Sequence, residues 1–247
     1  MGPVAQTDDG GTMGYNALLL SVQHRLTRGL AASANYTLSH CVGDYADLNS
    51  VGPAADATYT NPNNRKADRG NCDTDRRHIF NLTATAETPK FSNRMMTKIV
   101  SDWKLAGIYR YASGLPINIT TGVDNALNGI LLQRPNQVLA DAYTGNTGPN
   151  QVMLNSAAFL APTTGTVGSV GRNSVYGPTT WQLDMDLSRS FRIRERLAMQ
   201  LRAEAFNLTN SFRAGANPSG AINCNTFGQI RTALDGRDME FAVKFSF

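Results

Sequence analysis

The chain has 247 residues, of which 41% are hydrophobic and 17% charged, with a net charge of +4. No run of 18 apolar residues occurs, which excludes a transmembrane helix but not a transmembrane β-barrel, whose strands need an apolar residue only at alternate positions. The Lys and Arg residues are scattered, with no basic helix, stripe or stacking motif, and this argues against nucleic acid as a partner.

Residues 1–14 contain no positive region followed by an apolar core, so no signal peptide is expected there. The stretch from Asn16 to Leu26 then places Leu18, Leu20, Val22, His24 and Leu26 on one face, the period of a strand. Thr27, Arg28 and Gly29 form a tight turn. From Leu30 to His40 a second strand answers, with Leu30, Ala32, Ala34, Tyr36 and Leu38 on one face. Residues 41–76, rich in Asp, Asn, Gly and Pro, read as a long loop. Alternation resumes from Arg77 to Thr88, with Phe80, Leu82, Ala84 and Ala86 aligned, and Pro89 ends it.

After a medium connection, Trp103 to Ser113 aligns Trp103, Leu105, Gly107, Tyr109 and Tyr111. Aromatic residues at both strand ends resemble the girdles at membrane–water interfaces. Gly114, Leu115 and Pro116 predict a kink, with Ile117 to Thr120 continuing the strand beyond it. Residues 121–180 form the longest expected loop. Trp181 to Phe191 aligns Leu183, Met185, Leu187 and Phe191, and a short turn leads into Leu197 to Leu208. Helix propensity is high in that last stretch. Its alternation of Leu197, Met199, Leu201, Ala203 and Ala205, between strand-like neighbours, favours a strand. A loop over 209–236 follows, with a short strand expected from Thr226 to Thr232. The final stretch, Arg237 to Phe247, aligns Met239, Phe241, Val243, Phe245 and Phe247.

The expected fold is thus all-β, an antiparallel transmembrane β-barrel segment of about seven strands, each of bilayer-crossing length. Its three long loops share one end and its short turns the other, the asymmetry of outer loops and periplasmic turns. An odd strand count leaves an open edge, which lipid does not tolerate. The expectation is therefore one domain over residues 1–247, without a plug, that forms part of a larger barrel.

Several stretches together resemble the C-terminal barrel segment of TonB-dependent outer-membrane receptors of the Oar-like type, which carry a carboxypeptidase-regulatory-like domain. They run from Tyr15 to Leu30, Asn35 to Cys41, Asp75 to Ala84, Ser101 to Ile119, Gln133 to Val138, Gly171 to Pro178, Arg202 to Asn210 and Thr226 to Arg237. The resemblance implies a barrel of about 22 strands around a plug domain. It implies uptake of a scarce ligand across the bacterial outer membrane, with TonB and the plug engaged through an N-terminal part outside this chain. It also implies that the apolar face of the last strand, Met239, Phe241, Val243, Phe245 and Phe247, is the signal read by the barrel-assembly machinery. Outer-membrane lipid is the other expected partner, and no cofactor is expected.

Cys41 and Cys72 fall at the two ends of the first long loop, on adjacent strands, which favours a disulfide over free thiols or metal ligation. His40, Asp73, Asp75 and His78 lie near the same rim, but their spacing matches no metal-ligand pattern. Asp75, Arg76 and Arg77 are expected to fix the loop by ion pairing. The polar faces carry Asp184, Asp186, Arg202, Glu204, Glu240 and Lys244, expected to point into a lumen. No nucleophile elbow, phosphate loop or H-E-x-x-H motif occurs, so no catalytic or metal site is expected. The competing reading is a free-standing small barrel acting as a rim hydrolase or adhesin.

Overall fold

The computed structural model describes residues 10–27, 29–44, 59–61, 64–89, 91–92, 95, 99–194 and 197–247. Seven long strands form its frame: β1 (Met13–Thr27), β2 (Leu30–Gly43), β3 (His78–Glu87), β4 (Trp103–Ala112), β5 (Thr180–Arg194), β6 (Leu197–Phe206) and β7 (Asp238–Ser246). Each pairs antiparallel with the next in chain order. Among the described residues β1 and β7 pair on one side only, so the sheet is an arc and not a closed barrel.

The register shows why alternation specifies this sheet. Residues directly opposite share a face, and the apolar positions line up across all the strands. One such row runs Leu20, Tyr36, Phe80, Tyr111 and Trp181; another runs Leu187, Ala203 and Phe241. A one-residue slip anywhere would turn a strand's apolar set to the polar side. Leu197–Phe206 is a strand despite its helix-forming residues, because β5 and β7 supply backbone partners along both its edges. Tertiary pairing here overrides local propensity.

Some boundaries and short elements differ from the sequence reading. β5 runs on to Arg194, whose pairing with Leu197 tightens the β5–β6 hairpin. β2 extends to Gly43 because Gly70–Asn71 adds a short rung beside Val42 and Gly43. Ile117 does not prolong β4: Pro116–Ile117 folds back to pair with Val175–Tyr176. No strand forms over Thr226 to Thr232. Gly228, at φ +68°, breaks the alternation and leaves single bridges from Phe227 to Ser219 and from Gln229 to Val152.

The three long connections leave the same end of the sheet, and they hold the buried core. Ile117, Ile119, Met153, Leu154, Phe159, Val170, Val175, Phe227 and Ile230 pack together there. They come from the second connection (113–179) and the third (207–237). We call this packed unit the loop head.

Candidate functional site

The polar face of the arc holds all six of the residues expected to point inward. Arg202 Nε lies 2.5 Å from Asp186 Oδ2, and its guanidinium also pairs with Glu204. Gln200 is opposite Lys244, and Glu204 is directly opposite Glu240. Like charges facing across a rung destabilise it, and the bond from Arg202 to Glu204 offsets that repulsion. Asp184 is the exception in role. Its carboxylate accepts from the backbone N–H of Asn207 at 2.8 Å and from Gln182 Nε2 at 2.5 Å, with Arg110 at 3.8 Å. It serves as an anchor at the root of the third loop.

The opposite face is apolar and open. Met239, Phe241, Val243 and Phe245 lie on it, while Phe247 follows the end of β7. Aromatic residues flank its aliphatic centre at both ends. Tyr36, Phe80, Tyr111 and Trp181 sit toward the long loops, and Trp103, Phe191 and Phe245 toward the short turns. Arg189 shares this face, its guanidinium carbon 5.2 Å from the Trp103 ring and 4.6 Å from that of Phe191. A charge held against aromatic rings near a strand end suits an interface between lipid and water.

At the long-loop rim, Cys41 and Cys72 form a disulfide, with Cα atoms 5.4 Å apart. The side chain of buried Asp75 accepts from the backbone N–H of Cys41 at 2.7 Å and faces Arg77 Nε at 3.2 Å. Arg76 turns instead to β4, donating to the Ser113 carbonyl at 2.6 Å. Burial lowers its pKa from the usual arginine value. His40 lies 2.9 Å from Arg77 and 3.1 Å from Asn71, whereas His78 bonds the Tyr36 hydroxyl at 2.8 Å. Asp73 reaches away to Arg172 and Asn173. The four rim residues grouped by sequence therefore separate into different contacts, and no metal-holding group of His, Cys, Asp and Glu occurs among the described residues.

The head is welded to the first connection by polar contacts that the sequence reading did not single out. Asp68 is buried at the end of the 3-10 turn Arg65–Asp68 and pairs with Arg134 at 2.5 Å. Thr60 donates to the same carboxylate through both its N–H and its hydroxyl, while Arg134 donates to the carbonyls of Ala67 and Val170. Beside this pair, Asn71 and Asn173 exchange side-chain to backbone bonds of 2.8 and 2.7 Å. Asn207, at φ +50° and fully buried, accepts from both the N–H and the hydroxyl of Ser211. Arg134, Asn173 and Asn207 each sit in one of the motif stretches, whereas Thr60, Asp68 and Asn71 lie outside them.

The arrangement is a sheet with one lipid-compatible and one polar face, carrying a folded head of loops at one end. Comparison with curated proteins finds no match. The family model described as outer membrane beta barrel domain matches residues 1–240, which also places the protein in the bacterial outer membrane. By that match, and in keeping with its antiparallel sheet, the chain belongs to the outer membrane beta barrel domain family.

Proposed function

We propose that this chain is the C-terminal barrel portion of a TonB-dependent outer-membrane receptor that takes up a scarce ligand, and that it is not an enzyme. The observation that carries the reading is the open seven-stranded arc. An unpaired strand edge in lipid leaves N–H and C=O groups without partners. With seven antiparallel strands β1 and β7 run the same way, so joining them would make a parallel seam. Single-chain bacterial barrels instead close with an even, antiparallel set. The arc thus fits within a larger wall, of about 22 strands around a plug. The motif stretches from Tyr15 to Arg237 support the receptor type, and the apolar end of β7 supports recognition by the barrel-assembly machinery. TonB and the plug are the remaining partners in this reading. Against a rim hydrolase, His40 and His78 are engaged by Arg77, Asn71 and Tyr36 rather than by a nucleophile.

The test is a blot of native outer membranes with an antibody against residues 226–247. A band several times heavier than 26.7 kDa is expected. A band at 26.7 kDa would mean a free-standing small barrel and would sink the receptor assignment.

A further inference from the structure

The third connection folds around a concave site of about 490 Å³, within the range of roughly 300–1,000 Å³ typical of small-molecule sites. Ala216, Asn217 and Ser219 form one wall; Thr226, Gln229, Arg231 and Thr232 form the other. Backbone bonds fix the walls: Gly215 N–H to Thr232 O at 2.9 Å, Gly228 N–H to Ser219 O at 2.9 Å and Ile230 N–H to Gln151 O at 3.0 Å. Phe227 and Ile230, 7% and 1% exposed, root the second wall in the head core. A site built this way loses little conformational freedom when a ligand enters.

The lining is divided evenly between polar and apolar surface, and it carries one charge. Asn217 Nδ2 donates to the Pro116 carbonyl at 3.0 Å, and Gln229 Nε2 to that of Asn150 at 3.2 Å. Those bonds fix the two amides: the Asn217 oxygen packs against Gly177, while the Gln229 oxygen is left as an acceptor beside the hydroxyls of Ser219 and Thr232. Arg231 is exposed and has no hydrogen-bond or ion-pair partner among the described residues. The lining contains no carboxylate and no aromatic ring. One guanidinium among hydroxyls and an amide oxygen matches a molecule with one anionic group and several hydroxyls.

Cys224 stands beside this site. Its sulfur lies 3.1 Å from the Thr226 hydroxyl, and it is an exposed free thiol. The Thr226 hydroxyl foremost, then the Thr226 backbone and the Ser219 hydroxyl, and least of all the Arg231 charge, hold that thiol below its usual pKa. The sulfur is therefore coupled to the site through Thr226, which it touches and which lines the second wall.

We propose that this site binds an acidic saccharide, its carboxylate on Arg231 and its hydroxyls on Ser219, Gln229 and Thr232. That such a saccharide is the imported cargo rests on the uptake reading above; its binding does not. The test uses Cys224 as the reporter. In the native protein extracted from outer membranes into detergent micelles, the rate of Cys224 alkylation by iodoacetamide is read by mass spectrometry with D-glucuronate, D-glucose or sodium sulfate at matched ionic strength. Glucuronate slows alkylation, while glucose and sulfate do not. R231Q weakens that protection roughly tenfold or more, the loss expected for a charge-assisted bond. Losing Arg231 also slows the thiol itself, so the readout is the ratio of rates with and without ligand. An intact Cys41–Cys72 disulfide and an unchanged heat-dependent gel mobility verify folding of the variant.

Absence of protection by glucuronate, or equal protection in R231Q, overturns the site. Equal protection by glucose overturns its charge selectivity, and equal protection by sulfate overturns the saccharide class. Protection without glucuronate uptake by cells overturns only the cargo role, whereas uptake without protection overturns the pocket.

Discussion

The sheet and the loop head use the same apolar residue types in opposite ways. Phe241, on the outer face of β7, is 76% exposed, whereas Leu154 in the head is completely shielded. The sheet satisfies its backbone by strand pairing and leaves its apolar face to be covered by lipid. The head buries its own core, and its buried Arg134 is neutralised by Asp68 of the first connection. One polypeptide thus carries two stability mechanisms that answer to different solvents. Perturbations of one region should leave the other standing.

The largest separation comes from the buried ion pair. Asp68→Ala leaves the Arg134 guanidinium buried without its counter-ion, a loss of about 3–5 kcal/mol. Limited proteolysis should then cut within residues 113–179 while membrane insertion is unchanged; loss of insertion would show that head and sheet are one cooperative unit. Reducing the Cys41–Cys72 bridge, which spans 31 residues, removes about 3–4 kcal/mol in the chain-entropy model. Its effect should appear as faster cleavage of the first connection, read by mass spectrometry, with the strands still protected from hydrogen exchange.

Phe241→Arg works from the other side. A cation on the lipid face near mid-membrane costs about 2–4 kcal/mol, so folding into vesicles should weaken by that amount under urea titration. An equal loss after Glu240→Arg, one residue away on the polar face, would show that the faces have been assigned the wrong way round. The smallest effect is at the rim. Asp44 accepts from the backbone N–H of Thr12 at 2.5 Å and from its hydroxyl at 2.9 Å, and the backbone bond foremost holds its carboxyl below the usual value. A depressed carboxyl stabilises fully above its unfolded pKa and loses that contribution as pH falls through the folded one. Exchange of the Thr12 amide should therefore speed up only in strong acid, and D44N should show no such step.

Period-two alternation made the seven strands legible because each strand meets two different media. The disulfide was legible too, since Cys41 and Cys72 bound one loop between neighbouring strands. The head was not. Its core members, such as Ile117, Leu154 and Phe227, follow no repeat, and bonds across 102 residues, as between Asn71 and Asn173, leave no local pattern. Asp184 shows the same limit at one position. Alternation assigns it to the polar face, but its bond to Asn207, 23 residues later, depends on how the third loop leaves β6. The motif stretches did mark many of these residues, though without saying what each of them touches.

The head core also has a consequence for the order of assembly. Phe227 and Ile230 belong to the segment just before β7, yet they complete a cluster begun by Ile117 and Ile119 more than a hundred positions earlier. Contacts so distant along the chain form late, because a long loop must close before they are made. The cluster therefore cannot close until the segment before the last strand has arrived. Protection of the long loops from protease would accordingly serve as a clock for the final step of insertion.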